Sequence, residues 1–474
     1  MSTFGALNTA YTGLSAARAA MDIAGQNIAN AGTAGYTRQR VATSSVAAPA
    51  NVGLPAATRP VAGQGVSVDG ITRLADQMAD NKVRGTAAEA GYASVRADAL
   101  DAVQANLHEP GSDGISAQLH TFWANWSDVA NQPNTAAPAN VLLQNANVLA
   151  GKIATGYQAL DDQWTATRGS VDTMAADLNA SASQVAVLNG QIRSTLAAGG
   201  NANELIDQRS QLATGIVTLA GGSVRDKGDG TIDVVVGGNA LVSGTTTRTV
   251  AVTGASRMDG AAASPVQLEW ADKPGQAINP DGGKLAGAVS VLAPANGGTG
   301  GAIAEAAENF NTLARNLAST VNTVHQGGTT PSGAAGGEFF HLAASGPAAT
   351  GLTVVPQTKD DLATGTAGAG AYDGSNAGKI ASLASSPTGP DKTWSDIVTT
   401  TGVAAKTALL HADLADSASA AATKAQASTA GVDLDEENVN ILSAQHAYQA
   451  ASRVMSAIDQ TLDTLINHTG IVGL

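Results

Sequence analysis

The chain has 474 residues, enough for about two to four domains, with 25 Lys+Arg against 39 Asp+Glu and a net charge of -14. That balance disfavours nucleic acid and anionic membrane as partners. The absence of cysteine excludes a disulfide, a thiolate metal site and a cysteine nucleophile. Aromatic residues are only 3 % while Ala and Gly are abundant, so thin cores and long helix–helix interfaces are expected to carry stability. No basic segment followed by an apolar core marks a secretory signal in residues 1–26, and no apolar run approaches a bilayer-spanning length.

The first helix is predicted over about residues 3–30. Leu7, Leu14, Met21 and Ile28 recur every seven residues, with Ala10, Ala17, Ala24 and Ala31 as a second row. Gly32 and Gly35 stop it, and the stretch from Asn27 to Arg38 reads as a helix end, a turn and the start of a strand. Val41 to Val68 has no helical period and reads as loop or short strand. Helical patterning resumes near Ala75, runs through Tyr92, Val95, Leu100, Val103 and Leu107, and ends at Glu109-Pro110-Gly111. A short amphipathic helix carries Ile115, Leu119, Phe122, Trp126 and Val129. Tyr157, Trp164, Val171, Leu178, Val185 and Ile192 then mark a helix predicted over 139–198. Such a helix is roughly 90 Å long, which implies a rod-like body.

A further helix follows from Asn203 to about Leu219. The period then changes to two: Val224, Ile232, Val234 and Val236 flank the turn at Asp229-Gly230, and Leu241-Val242, Val250–Val252 and Val266–Trp270 continue as strands. Helical character returns over Gly282–Leu292 and again with Ile303, Phe310, Leu317 and Val324. Residues 327–390 are rich in Gly, Ala, Ser and Thr and read as irregular, with a possible strand pair at Phe339-Phe340 and Leu352–Val355. Trp394, Ile397 and Val398 open a last body helix that thins to an Ala-rich tract ending at Gly431. The terminal helix carries Leu434, Ile441, Tyr448, Met455 and Leu462, with Ala444, Ala451, Ile458 and Leu465 as a second row. Asp433 caps it, Glu436 suits a capping box, and Asp435, Glu436 and Glu437 suit the positive end of the helix.

The fold class expected is mainly α: an elongated multi-helix rod with paired, coiled-coil-like terminal helices and a small β-hairpin subdomain at 222–270. The expected units are a terminal assembly domain (1–75 plus 432–474), a helical body (76–326 plus 391–431) and an irregular segment (327–390). Little in the chain suggests chemistry. His108, His120, His325, His341, His411, His446 and His468 form no helical i, i+4 pair with a Glu. Asp226 to Asp233 has the wrong acidic spacing for a calcium loop and reads as a hairpin turn. Gly297–Gly301 lacks the Lys-Ser/Thr of a phosphate loop and reads as a flexible linker. Trp123 and Trp126 read as core. No catalytic, cofactor or metal residues are assigned. The two terminal seams fit either ordinary core helices or assembly handles, and their position at the extreme ends of the chain favours the second.

Asn27-Ile28-Ala29-Asn30 followed by Gly35-Tyr36 resembles the Asn-Ile-Ala-Asn…Thr-Pro-Gly-Tyr motif of the flagellar axial proteins, the family of rod, hook and hook-associated proteins, with Ala34 where that family usually has Pro. Gly431 to Glu437 and Gln445 to Ala451 resemble the carboxyl-terminal helix of the same family, and the form Leu434-Asp435-Glu436-Glu437 favours its hook-associated branch. Asn203 to Leu212, Gly230 to Gly244 and Asn316 to Gly327 resemble body segments of that branch. The resemblance implies a structural protein at the junction of flagellar hook and filament, exported unfolded through the flagellar type III apparatus with a chaperone. It implies partners in its own subunits within a helical ring, in hook protein and in a second junction protein. It places the paired terminal helices in an inner tube. Many members insert an outer β domain after the segment matching Phe339-Phe340; the short spacing here predicts that domain to be missing or vestigial. A hook or distal rod protein is the alternative within the family. An enzyme or adhesin on a coiled-coil stalk is the alternative outside it.

Overall fold

The computed structural model of the chain describes residues 3–47 and 63–467. Part of the stretch read as loop between Val41 and Val68 lies outside the described residues, as does His468. The fold is mainly α with small antiparallel sheets, and its helices nest. Helix α1 (Thr3–Ala29) packs on α10 (Leu434–Asn467), and α2 (Gln77–Asn106) packs on α9 (Pro390–Ala430). Inside them α4 (Ala136–Ala197) meets α3 (Ile115–Asn131), α5 (Asn203–Ala220), α6 (Gly283–Leu292) and α7 (Ala302–Gln326). Strands β1 (Gln39–Ser45) and β2 (Val66–Arg73) form a ribbon between the terminal pair and the body.

Helix α4 has 62 residues, about 93 Å at the usual rise per residue. Its row Trp164, Val171, Leu178, Val185 and Ile192 is fully buried. No single partner helix covers it. Polar side chains at intervals fasten successive elements to it instead. Trp164 Nε1 donates to Leu292 O at 3.1 Å, and Arg168 Nε to Ala255 O at 3.3 Å. Asn179 both donates to and accepts from the backbone of Val250, each at 2.8 Å. Asn189 does the same for Ile232, at 2.8 and 3.1 Å. Each asparagine thus behaves as a strand neighbour and satisfies edge groups that would otherwise be buried without a partner.

The strands so held form two sheets. One orders β3 (Ser223–Asp226), β4 (Ile232–Val236), β5 (Asn239–Ser243) and β6 (Thr246–Thr247); the other orders β7 (Val250–Thr253), β8 (Gln267–Trp270) and β9 (Lys273–Ile278). The stretch Asp226–Asp233 is the β3–β4 turn. Strand β9 is not anticipated by the sequence pattern, because five of its six residues are exposed and only Ile278 is buried.

Within residues 327–390 the expected strand pair forms: β10 (Phe340–Leu342) pairs with β11 (Leu352–Val354), and a short helix α8 (Ser375–Ala381), which the pattern does not announce, follows. Phe339, Phe340, Leu362 and Ile380 enter the body core, where the Phe339 ring lies 5.1 Å from that of Trp126 at a tilt of 55°. His325 on α7 ties this segment down. Its Nε2 accepts from Ala363 N at 3.0 Å, so Nδ1 carries the proton that goes to Gly337 O at 2.8 Å. Burial lowers its pKa and keeps it neutral. Gly297–Gly301 is a closed loop rather than a flexible linker: Asn296 N and Gly300 N donate to Glu305 Oε1 at 2.6 and 2.8 Å. Burial works against the charge of Glu305, but these amides with those of Gly298 and Thr299 outweigh it and lower the pKa. Trp126 is fully buried, and Trp123 is nearly so, with its indole on Asp391.

Candidate functional site: the joint between terminal helices and body

The last turn of α1 points Asn27 inward, and at 1 % exposure its amide is fully used. Asn27 Nδ2 donates to Gln39 O at 2.9 Å and Glu437 Oε2 at 3.1 Å; its Oδ1 accepts from Gln39 N at 3.0 Å and the Tyr36 hydroxyl at 2.9 Å. Two donors and two lone pairs are all that an asparagine amide offers, so no other side chain of this size replaces it. Asn30 closes the helix, donating to Gln26 O at 3.0 Å and accepting from Thr33 Oγ1 at 3.3 Å. Gly35 follows with φ +74°, and a Cβ there would fall 1.8 Å from Gln211 Nε2, which donates to Ala34 O. The left-handed backbone is what favours glycine here; the Gln211 side chain could swing aside from a Cβ. The Tyr36 hydroxyl is pushed up to about 12 by burial and by the carboxylates of Asp207, Glu204 and Glu437, so it remains a donor.

Arg38 spans the joint. Its Nε meets Glu437 Oε1 at 2.7 Å, its Nη1 meets Glu436 Oε2 at 2.6 Å, and its amide donates to Ala430 O at 2.9 Å. Burial opposes its charge, but the two carboxylates outweigh that and raise its pKa. Glu437 is 2 % exposed, so this pair is a desolvated one. Asp433 Oδ1 caps α10 through Asp435 N and Glu436 N at 2.9 and 3.2 Å. Glu436, expected to complete a capping box, instead turns to Arg38, because a guanidinium is a stronger partner for a carboxylate than a single amide.

Helix α5 supplies the body's half. Thr37 N donates to Asp207 Oδ2 at 3.1 Å, and Asp207 Oδ1 pairs with Arg73 Nη2 at 2.5 Å. Asn203 Nδ2 donates to Gln39 Oε1 and Ile71 O at 3.0 and 3.1 Å, and Gln26 Nε2 reaches Glu204 Oε1 at 3.0 Å.

The seam residues behave differently from the joint. Leu7, Leu14, Met21 and Ile28 are only half-buried; the buried row of α1 is Ala10, Ala17 and Ala24 with Ile23. On α10, Ile441, Tyr448, Met455, Ile458 and Leu462 are half-buried, and Leu434 and Leu465 are exposed. Only Glu437 and Ala444 are buried there. The structure therefore gathers Asn27, Gly35 and Tyr36 with the start of α10 into one polar cluster. Arg38, Gln39, Glu437, Asp207 and Arg73 complete it, and none of these stands out as a functional residue in the sequence. The one available signal is charge: Arg38 two residues after the motif, and Glu436-Glu437 in the first turn of the last helix. Among the described residues no group of side chains could hold a metal ion, and no helix is long and apolar enough to cross a membrane.

The two chain segments that meet at the joint are similar to known ones. A family model described as "Flagella basal body rod protein" matches residues 7–37, and one described as "Flagellar basal body rod FlgEFG protein C-terminal" matches residues 427–468. A terminal helix pair closed by these segments defines a flagellar axial protein. The model "Flagellar hook-associated protein FlgK helical domain" matches residues 100–340, half of the chain, and the chain belongs to this hook-associated family. Flagellar hook-associated protein 1 of Bacillus subtilis is 27 % identical over 100 % of this chain and 99 % of its own length. That of Salmonella typhimurium is 31 % identical over 52 % of this chain and 44 % of its own length, and that of Escherichia coli 27 % over 71 % and 60 %. The flagellar hook junction protein FlgK from Burkholderia pseudomallei has the same fold, with TM-score 0.62 at 14 % identity over 73 % of this chain and 99 % of that one.

Proposed function

We propose that the protein is a non-enzymatic adaptor at the junction of flagellar hook and filament, and that it polymerises through α1 and α10. The observation that carries this reading is the unfinished burial of the terminal pair. Phe4 and Tyr11 on α1 are 71 and 61 % exposed, and Val439, Leu442, Val454 and Ile466 on α10 are 52 to 75 % exposed. Apolar side chains on both sides of a thin alanine seam call for neighbouring subunits to cover them. The residues 1–75 and 432–474 then form the assembly unit in an inner tube, the body lies outside it, and the joint fixes the angle between them. The partners in this reading are further subunits in a helical ring, hook protein on one side, a second hook-associated protein on the other, and an export chaperone for the unfolded chain. The protein works outside the cell, after export through the flagellar type III apparatus. The short connection of β10 to β11 through residues 343–351 supports the reading that no outer β domain is inserted at that point.

Deleting the gene tests the role: cells are expected to keep hooks, lack filaments and shed filament subunits into the medium, and intact filaments would overturn it. Limited proteolysis of the soluble monomer tests the mechanism. Cuts are expected first in the terminal helices, and termini as resistant as the body would contradict it.

A further inference from the structure

Helices α2 and α5, the β3–β4 hairpin and the end of β2 line a half-open cleft of about 190 Å³. It is lined by Arg73, Arg84 and Arg209, with Asp80, Ser210 and Asp226. Three guanidiniums on one small cavity are unexpected in a chain with a net charge of -14. Arg73 is neutralised by Asp207, although its Nε is buried without a hydrogen-bond partner. The other two are short of counter-charge. Arg84, 9 % exposed, gives its protons to neutral oxygens: Ser210 Oγ at 3.0 Å, Thr214 Oγ1 and Asn81 Oδ1 at 3.4 Å. Its nearest carboxylate, Asp80, stands 4.0 Å away and also accepts from Gln426. Arg209, 6 % exposed, donates to Asn189 Oδ1 at 2.9 Å and Gly230 O at 2.6 Å. Among the described residues no carboxylate lies within 4.0 Å of it; Asp226 faces it across the cavity and accepts from Gly228 N. Burial pushes Arg209 down to about 10, against the pull of Asp226 and with the repulsion of Arg73 and Arg84 added. Burial likewise lowers Arg84, against Asp80 and with Arg73. Buried cations without close counter-ions are unfavourable unless something negative completes them.

We infer that this cavity binds one small tetrahedral oxyanion of the phosphate or sulfate type, held by Arg84 and Arg209 with Arg73 at its edge. Guanidinium forks match such an oxyanion in shape as well as charge. The volume admits the ion with a few waters and is too small for a nucleotide. Asp80 and Asp226 line the same cleft and oppose the anion, which holds the affinity to the order of millimolar. The site lies beside the Arg73–Asp207–Thr37 contact of the joint, so occupancy stiffens the attachment of the ribbon to α5. This inference does not depend on the junction role and stands or falls separately.

Calorimetric titration of the full chain with inorganic phosphate, and separately with sulfate, at ionic strength balanced by chloride, tests it. Saturable binding of one ion per chain is expected. Arg84→Gln is expected to weaken it about tenfold by removing a charged donor, while Glu89→Gln, on the same helix outside the cavity, leaves it unchanged. Thermal melts give a second readout: sulfate raises the Tm of many proteins by exclusion from their surface, so only the part of the rise that saturates and is lost in Arg84→Gln counts. Equal, non-saturating rises in both proteins would overturn the inference and leave Asp80 and Asp226 as the counter-ions through water. If Arg84→Gln does not fold, the unaltered chain decides: no saturable heat up to about 20 mM of either ion sinks the proposal.

Discussion

In α4 the row from Trp164 to Ile192 is wholly buried, whereas in α1 the row from Leu7 to Ile28 is half covered and on α10 Leu434 and Leu465 are exposed. The two regions share one spacing of apolar residues. They differ in what lies opposite. Helix α4 is surrounded by α3, α5, α6, α7 and three sheets, and four fully buried tryptophans with Phe122, Phe310, Phe339 and Phe340 fill the body. Helices α1 and α10 have chiefly each other, across a seam of alanine. A heptad row states which face seeks cover, and the number of neighbours decides how much cover it receives. The body is thus finished within one chain, and the terminal pair is not.

This contrast can be broken most directly in the body. Trp164→Ala removes a fully buried ring and its bond to Leu292 O, and is expected to cost about 3–5 kcal/mol in urea unfolding; a loss under about 1 kcal/mol would mean that the body core is not closed. At the joint, Arg38→Ala leaves Glu437 buried opposite Asn27 without its cation. A loss of about 2 kcal/mol is expected, below the full value for a buried pair because Arg38 is partly exposed. Adding Glu437→Gln should restore part of it, and additive losses in the double-mutant cycle would show the contact to be idle.

His325 gives a smaller, pH-dependent effect. Its folded pKa is depressed by burial, so the unfolded chain takes up a proton near the ordinary histidine value while the folded chain does not. Its contribution is therefore present above about pH 6.5 and is lost as pH falls toward the folded value, at up to about 1.4 kcal/mol per pH unit. Urea midpoints of the unaltered chain and His325→Gln, measured from pH 7.5 to 5.5 (about the span of the histidine titration), should converge toward acid; parallel curves would contradict it. The smallest effect is expected at the seam. Leu14→Ala should change monomer stability by less than about 1 kcal/mol, since the side chain is only half-buried, yet abolish filament attachment in motile cells. Normal motility with this variant would remove the seam from the assembly reading.

Much of the fold is legible in the sequence. Apolar spacing alone locates α4, α7 and the terminal helices, and the change of period to two after Gly222 locates most of the strands, because long amphipathic elements repeat their pattern many times. Short elements do not. Strand β9 buries only Ile278, and α8 has seven residues, too few for a period to show. The Gly-rich loop before α7 reads as a linker because a turn stabilised by one carboxylate, Glu305, has the composition of a flexible one. The candidate site was legible in half: Asn27, Gly35 and Tyr36 stand in a recognisable motif, but the partners that give them meaning do not. Asn27 and Glu437 are 410 positions apart, and Asp207 belongs to a helix of the body.

The sequence by itself determined the class of fold, the two terminal heptad rows and the motif at the end of α1, since each of these is written in local spacing and side-chain type. Tertiary structure alone decided which row of α1 is buried, and that Glu436 pairs with Arg38 rather than closing a capping box. It also gathered Arg73, Arg84 and Arg209 on one cavity. These outcomes depend on desolvation and charge pairing between segments distant in the chain, and such energies exist only once the segments meet.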